Sequence, residues 1–240
     1  MKHRTIWISD LHLGTRGANV ERLLNWLRDT DAETIYLVGD IIDGWALARN
    51  WYWPQTHNDV IQKLLRKARH GTRVIYIPGN HDEFLRSFLD HSFGDVELVN
   101  EKVHETADGK CLLVIHGDQY DEVAKHAKWI AHLGDKGYDF LLWLNRWNGS
   151  LRTRLGWKPW SLSQAVKYKV KQAVNFISGY REALSNECNR RHLDGIVCGH
   201  IHHAEIDQRE TMTYYNTGDW VESCTALVEG FDGAIRLVQG

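Results

Sequence analysis

Five short apolar runs in this 240-residue chain end directly on polar residues that can bind a cation. "IWIS" leads to Asp10-Leu11-His12, "IYLV" to Gly39-Asp40, "VIYIP" to Gly79-Asn80-His81-Asp82, "LLVI" to His116-Gly117-Asp118, and "GIVC" to Gly199-His200-Ile201-His202. Runs this short and this rich in β-branched residues read as buried strands. Helical patterns lie between them. Val20, Leu23, Leu24 and Leu27 recur at helical spacing, and within 57–70 the apolar face is Val60, Ile61, Leu64 and Leu65. Strands alternating with helices predict an α/β fold, and such sheets gather ligands beyond the carboxyl ends of their strands. Any one of these motifs alone reads as a turn. Five in order, each at a strand end, predict one shared site.

Residues 121–193 break the alternation. They carry helical patterns only, including a possible capping box at Ser161 and Gln164 and a stripe of Val166, Val170, Val174 and Ile177. Strand patterns resume at 195–198, 211–216, 225–229 and 234–238. The expected organisation is therefore a core of 1–120 and 194–240 carrying a helical insertion over 121–193. Between Val123 and Leu193 there are 13 basic residues against 4 acidic, although the whole chain has a net charge of −2. Five of the eleven tryptophans fall between Trp129 and Trp160. Lys167, Lys169 and Lys171 share a helix with the valine stripe. Basic residues beside apolar ones suit an amphiphilic anionic substrate or peripheral contact with an anionic membrane. A packed helical subdomain with a solvated basic face is the alternative.

No apolar run approaches the ~18 residues that span a bilayer. The N-terminus reads as a first strand and not as a secretory signal, so a cytoplasmic protein is expected. Cys111, Cys188, Cys198 and Cys224 show no C-x-x-C pairing and are expected as reduced thiols.

The strand-end groups are carboxylates, imidazoles and one amide, with no thiolate. Such ligands suit Mn, Fe or Zn. Seven side chains are too many for one ion and enough for two, spaced ~3.5–4 Å apart as in centres that displace phosphoryl groups. The pattern D-x-H, G-D-x-x-D, G-N-H-D, H and G-H-x-H resembles the calcineurin-like metallophosphoesterase family. It runs from Asp10 to His202, interrupted only by the insertion. The resemblance implies a four-layer α/β/β/α sandwich. It also implies that Asp10, His12 and His202 hold one metal and Asn80, His116 and His200 the other, with Asp40 bridging. A hydroxide held between the ions would attack phosphorus in line. His81 would then stabilise the phosphoryl group or protonate the leaving oxygen, with Asp43 orienting it, and Asp82 and Asp118 would sit behind the ligands.

Within the family, protein Ser/Thr phosphatases carry Arg where this chain has Gly44 and Pro78, which argues against a phosphoprotein substrate. The "SDLHLG" opening, the insertion after His116 and the "TGDW" segment are similar to the UDP-2,3-diacylglucosamine pyrophosphatase branch. That branch is Mn-dependent and belongs to lipid A biosynthesis. The resemblance implies a lipid-linked sugar nucleotide as substrate; Asn80 and His81 are expected to bind it, and the basic segment adds Lys167 and Lys171 as candidate contacts. This chain departs from the branch at His81, where the branch carries Arg. A histidine suits a less acidic leaving group, so a phosphodiesterase or phosphatase acting on a cyclic nucleotide, nucleic acid or small phosphoester is the alternative. Around His200, continued strand alternation would turn His200 and His202 one way and His203 the other.

Overall fold

Ile6 and Ile8 point to one side of the first strand, β1 (Lys2–Ile8), and Trp7 to the other, and all three are fully buried. A strand buried on both faces belongs at the centre of a covered sheet. In the computed structural model, which describes residues 2–123, 177–209 and 211–240, β1 occupies that place. It pairs in parallel with β2 (Asp31–Val38) and antiparallel with β11 (Thr225–Glu229). The seven-stranded sheet runs β12-β11-β1-β2-β3-β5-β4, completed by β3 (Arg73–Ile77), β4 (Ser92–Phe93), β5 (Val96–Leu98) and β12 (Ile235–Gln239). A five-stranded sheet runs β6-β7-β8-β10-β9. Its strands are β6 (Lys102–Glu105), β7 (Cys111–Val114), β8 (Gly195–Cys198), β9 (Glu205–Gln208) and β10 (Thr213–Asn216).

The register sorts the core into layers. Val228, Ile6, Ile35, Val74 and Val96 line up across the larger sheet and face the helices. Those helices are α1 (Val20–Asp29) and α3 (Gln55–Arg69), with β2 and the short α2 (Gly44–Arg49) between them in the chain. The adjacent row, Leu227, Trp7, Tyr36 and Ile75, faces Leu112, Val114, Val197 and Tyr215 of the smaller sheet. On that sheet's outer side, Leu184 and Cys188 of the helical residues 184–190 are buried, and Ser185 reaches Met212. The arrangement is the expected α/β sandwich.

Two compact units divide the chain, Met1–Asp118 with Leu184–Gly240, and Gln119–Ala183. The helical insertion expected over 121–193 falls mostly outside the described residues, with its lysines and its capping box. Among the described residues no helix is long and apolar enough to cross a membrane. All four cysteines are free, and three are buried.

One helix face differs from expectation. Leu65 is 46% exposed. The buried stripe of α3 is His57, Val60, Leu64, Lys67 and Ala68. Lys67 tolerates burial because its ammonium reaches Thr30 O at 2.7 Å and Asp31 at 2.6 Å.

A buried charge links the sheets. Glu229 of β11 has no exposed surface, accepts two bonds from Arg4 at 2.7 and 2.9 Å, and accepts the Ala107 N–H at 2.7 Å. Its other oxygen lies 3.0 Å from His104 Nε2 on β6. Burial works to raise its pKa, but the bonds from His104, Thr5 and Ala107 hold it below its ordinary value. Removing one member of such a group costs about 3 kcal/mol or more. Glu229→Gln should therefore lower the urea midpoint at neutral pH by that order. A depressed carboxyl stabilises the fold above its ordinary pKa of 4.5, and the stabilisation fades as pH falls through the lower native value. Urea titrations across that window should show a steeper loss for the wild type than for Glu229→Gln.

Candidate metal centre

Each motif leaves its strand within two residues and stays bound to its neighbour. Asp10 N–H donates to Gly39 O (3.0 Å), His12 N–H to Asp40 O (2.9 Å) and Asp43 N–H to Leu13 O (2.8 Å), so the loops after β1 and β2 run side by side. Gly44 N–H donates to His81 O, Gly199 N–H to His116 O, and Trp220 N–H to Asp10 O. Two glycines are needed for close approach. A Cβ on Gly79 would overlap the Asp40 carboxylate and the His116 ring, and one on Gly199 would overlap Ser9 and Asp10. This explains why glycine precedes the Asn80 and His200 motifs.

Three groups of ligand-capable atoms result among the described residues, one of them His12, Asp43 and His81, and the other two match the expected pair of ion positions. In the first of that pair, Asp10 Oδ1 lies 3.1 Å from His202 Nε2 and 3.9 Å from His12 Nε2, and the two imidazole nitrogens are 3.3 Å apart. In the second, Asp40, His116 and His200 bring their ligand atoms within 4.8 Å of one another. Asp40 faces both groups: its Oδ1 is 3.4 Å from His116 Nε2 and its Oδ2 is 3.9 Å from His12 Nε2. Donors of one ion at the ~2.1 Å bond lengths of first-row metals stand roughly 3.0–3.5 Å apart, which these spacings approach.

The donor atoms are also prepared for a cation. Asp10 Oδ1 and His116 Nε2 are buried, and among the described residues their close polar neighbours include other expected ligands, His202 at 3.1 Å and Asp40 at 3.4 Å. His116 Nδ1 lies 2.8 Å from Val38 O, where it donates, and this leaves the Nε2 lone pair directed into the pocket. Without cations the site balances its own charge. Burial opposes protonation of His116, but the nearby Asp40 pushes its pKa up to about 10. Burial likewise works to raise Asp10, and His202 brings it down to about 2. Bound cations would take over from these protons. The residues fit a pair of divalent ions.

His200 and His202 reach the pocket differently from the expected strand alternation. The strand β8 stops at Cys198, and both histidines have left-handed backbone, φ 71° and 52°. His203 does point elsewhere, with a 54% exposed side chain 3.9 Å from Glu205. Asn80 lies between Gly79 and His81 on the loop after β3. His81 N–H donates to Asp40 Oδ1 at 2.8 Å. Lys167 and Lys171 lie outside the described residues.

His81 stands beside both groups. Its Nε2 is 3.9 Å from Asp40 Oδ2, and its Nδ1 is 3.0 Å from Asp43 Oδ2. Asp43 serves three partners, since Oδ2 also meets His12 Nδ1 at 3.1 Å and Oδ1 caps α2 through Ala46 N–H at 2.7 Å. Burial would raise its pKa, but His12 and His81 hold it far below the usual carboxylate range. Sequence reasoning missed Trp45, whose ring lies 4.3 Å from that of His81, and Arg86, which binds Asp118 at 2.7 and 2.9 Å. Neither carries a local motif.

Asp82 ties the loops after β2 and β3 together. It accepts from Ile41 N–H (2.8 Å), Gly79 N–H (2.5 Å) and Tyr76 O–H (2.5 Å). It does not face the cation pocket. Asp82→Ala should cost about 3 kcal/mol by leaving buried donors unpaired. Urea unfolding of the metal-free chain measures this directly, and an unchanged midpoint would contradict the structural role.

Comparison with known proteins identifies the family. Residues 3–204 match the family described as calcineurin-like phosphoesterase. A relative from Photorhabdus laumondii named UDP-2,3-diacylglucosamine hydrolase is 28% identical over 210 residues, covering 82% of this chain and 81% of that protein. One of the same name from Neisseria gonorrhoeae is 26% identical, covering 95% of each. Among solved structures, a mutant Vps29 from Entamoeba histolytica aligns with TM-score 0.46 and 15% identity over 98% of this chain and 96% of that one. On the strength of the family match across residues 3–204, the chain belongs to the calcineurin-like phosphoesterases and is a metal-dependent hydrolase.

Proposed function

We propose that the chain hydrolyses the diphosphate of a lipid-linked sugar nucleotide, UDP-2,3-diacylglucosamine or a close analogue. Seven side chains would hold two divalent ions: Asp10, His12 and His202 on one, Asn80, His116 and His200 on the other, and Asp40 on both. The observation that carries this reading is the placement of Asp40, whose two oxygens face the two groups at 3.4 and 3.9 Å. Manganese is the favoured ion on the resemblance to the diphosphatase branch, and the donor set also accepts Fe or Zn. When bound, the pair supplies Lewis-acid charge and an activated water.

The chain's own residues then position and protonate. His81 presents Nε2 to the reacting phosphate while Asp43 fixes the ring through Nδ1, as a general acid requires. Trp45 covers one face of that ring. The likeness to two UDP-2,3-diacylglucosamine hydrolases, over 82% and 95% of this chain, supports the substrate. The basic, tryptophan-rich segment between 123 and 193 supports an amphiphilic one, with Lys167 and Lys171 as anion contacts and peripheral attachment to an anionic membrane. A second reading rests on His81 itself. An imidazole able to protonate a leaving oxygen suits a phosphodiester with a poorer leaving group.

A Mn(II)-supplemented screen of UDP-2,3-diacylglucosamine, bis-p-nitrophenyl phosphate and cyclic nucleotides separates the two readings. The proposal expects release of UMP from the first to dominate. Preference for a diester would favour the second, and no cleavage by the ion-loaded chain would overturn both. Chelation should abolish turnover, and Asp40→Asn should do the same while weakening ion uptake. His81→Ala should keep both ions and slow hydrolysis about 10²–10⁴-fold. Loss of ions in that variant would assign His81 to the ligand set instead.

A further inference from the structure

Two buried hydroxyls behind Asp10 have no part in the reading above. Ser9 and Thr217 are both fully inaccessible to solvent, although 208 positions apart in sequence. Their oxygens lie 2.5 Å from each other. Ser9 Oγ also contacts Asp10 Oδ2 and, at 3.1 Å, Gly218 O. Thr217 Oγ1 has one further neighbour, Cys198 O at 3.3 Å.

Counting protons fixes the direction of this chain. An ionised carboxylate only accepts, and each hydroxyl has one proton to give. The closest pairings are satisfied together when Thr217 donates to Ser9 and Ser9 donates to Asp10 Oδ2. The same oxygen accepts the His200 N–H at 2.9 Å. Both lone pairs of Oδ2 are then in use. Oδ1 is left buried and turned toward the pocket, 3.1 Å from the expected ligand His202 Nε2.

The segment that brings Thr217 here is itself tied to both ligand loops. Asn216, fully buried, donates its amide to Gly199 O at 2.8 Å and accepts the Gly218 N–H at 2.9 Å. Thr217 N–H donates to Cys198 O (3.0 Å) and Trp220 N–H to Asp10 O (3.1 Å). All of it lies beyond the residues 3–204 that match the family.

We infer that Ser9 and Thr217 are positioning residues that reserve Asp10 Oδ1 for a cation and thereby set affinity at the Asp10–His12–His202 position alone. The inference rests on the two-ion reading. Partners standing behind metal ligands typically change affinity 10–100-fold when removed.

The test is Mn(II) titration calorimetry, with bound ion counted by elemental analysis, on the metal-free chain and on Ser9→Ala, Thr217→Val and Thr217→Ser. Asp10→Ala marks which of the two equivalents belongs to this position. Metal-free melting temperatures are recorded alongside. Ser9→Ala and Thr217→Val should weaken that one equivalent about 10–100-fold and leave the other in place. Thr217→Ser, which restores the hydroxyl, should bind as the wild type does. Unchanged affinities would overturn the inference. So would a parallel loss of both equivalents with a lower metal-free melting temperature, the mark of a merely structural role. A wild-type chain that binds fewer than two ions would overturn the two-ion reading itself.

Discussion

Left-handed backbone at the strand ends is the constraint on which this site depends. Asp10, His12, Asp40, His200 and His202 have φ of 52°, 48°, 54°, 71° and 52°. For residues with a Cβ this conformation costs roughly 1–2 kcal/mol each. Such turns persist only where the surroundings overdetermine them. Here the loops are hydrogen-bonded in series, from Asp10 to Gly39, His12 to Asp40, Asp43 to Leu13 and Gly44 to His81. The strain turns each side chain from the line of its strand into a common pocket.

That series needs a rigid base, which the two sheets supply. The parallel strands β1, β2 and β3 end at one edge of the larger sheet, and the parallel β7 and β8 deliver His116 and His200 from the smaller. The sheets hold their spacing through an apolar layer centred on Trp7, Tyr36 and Leu227. Glu229 adds a charged tie between them, since Arg4 lies on one sheet and His104 on the other. Electrostatics at the two ends differ in kind. The Glu229 group is closed and self-satisfied, whereas the pocket balances its carboxylates only against imidazoles that a cation could replace.

The sequence made some of this legible for identifiable reasons. Strands buried on both faces announce themselves as unbroken apolar runs, so β1, β2, β3, β7 and β8 were plain, and their strand-end motifs with them. The edge strands of the smaller sheet did not. The strands β6 (KVHE) and β9 (EIDQ) are short and polar, because only one face or one residue is covered. On α3, a four-leucine-like face misplaced Leu65, since nothing local shows that Lys67 finds partners on Thr30 and Asp31. Ser9 and Thr217 escaped for a related reason. Their importance lies in contacts between distant segments, and a serine or threonine beside a motif looks like an ordinary loop residue until those contacts are seen.

The pairing of β1 with β11 has a consequence for the order of assembly. Thr5 lies opposite Glu229, and Arg4 bonds to a carboxylate 225 positions later. During synthesis, a central strand of the larger sheet must therefore wait for residues made 225 positions later. Contacts this distant close late and slow the search for the native state. The Asp10 loop, secured by Trp220 and Thr217, cannot reach its final form before then. A growing chain would carry the Asp40 loop well ahead of a complete pocket, so the strand-end groups come together only after β1 and β11 have paired.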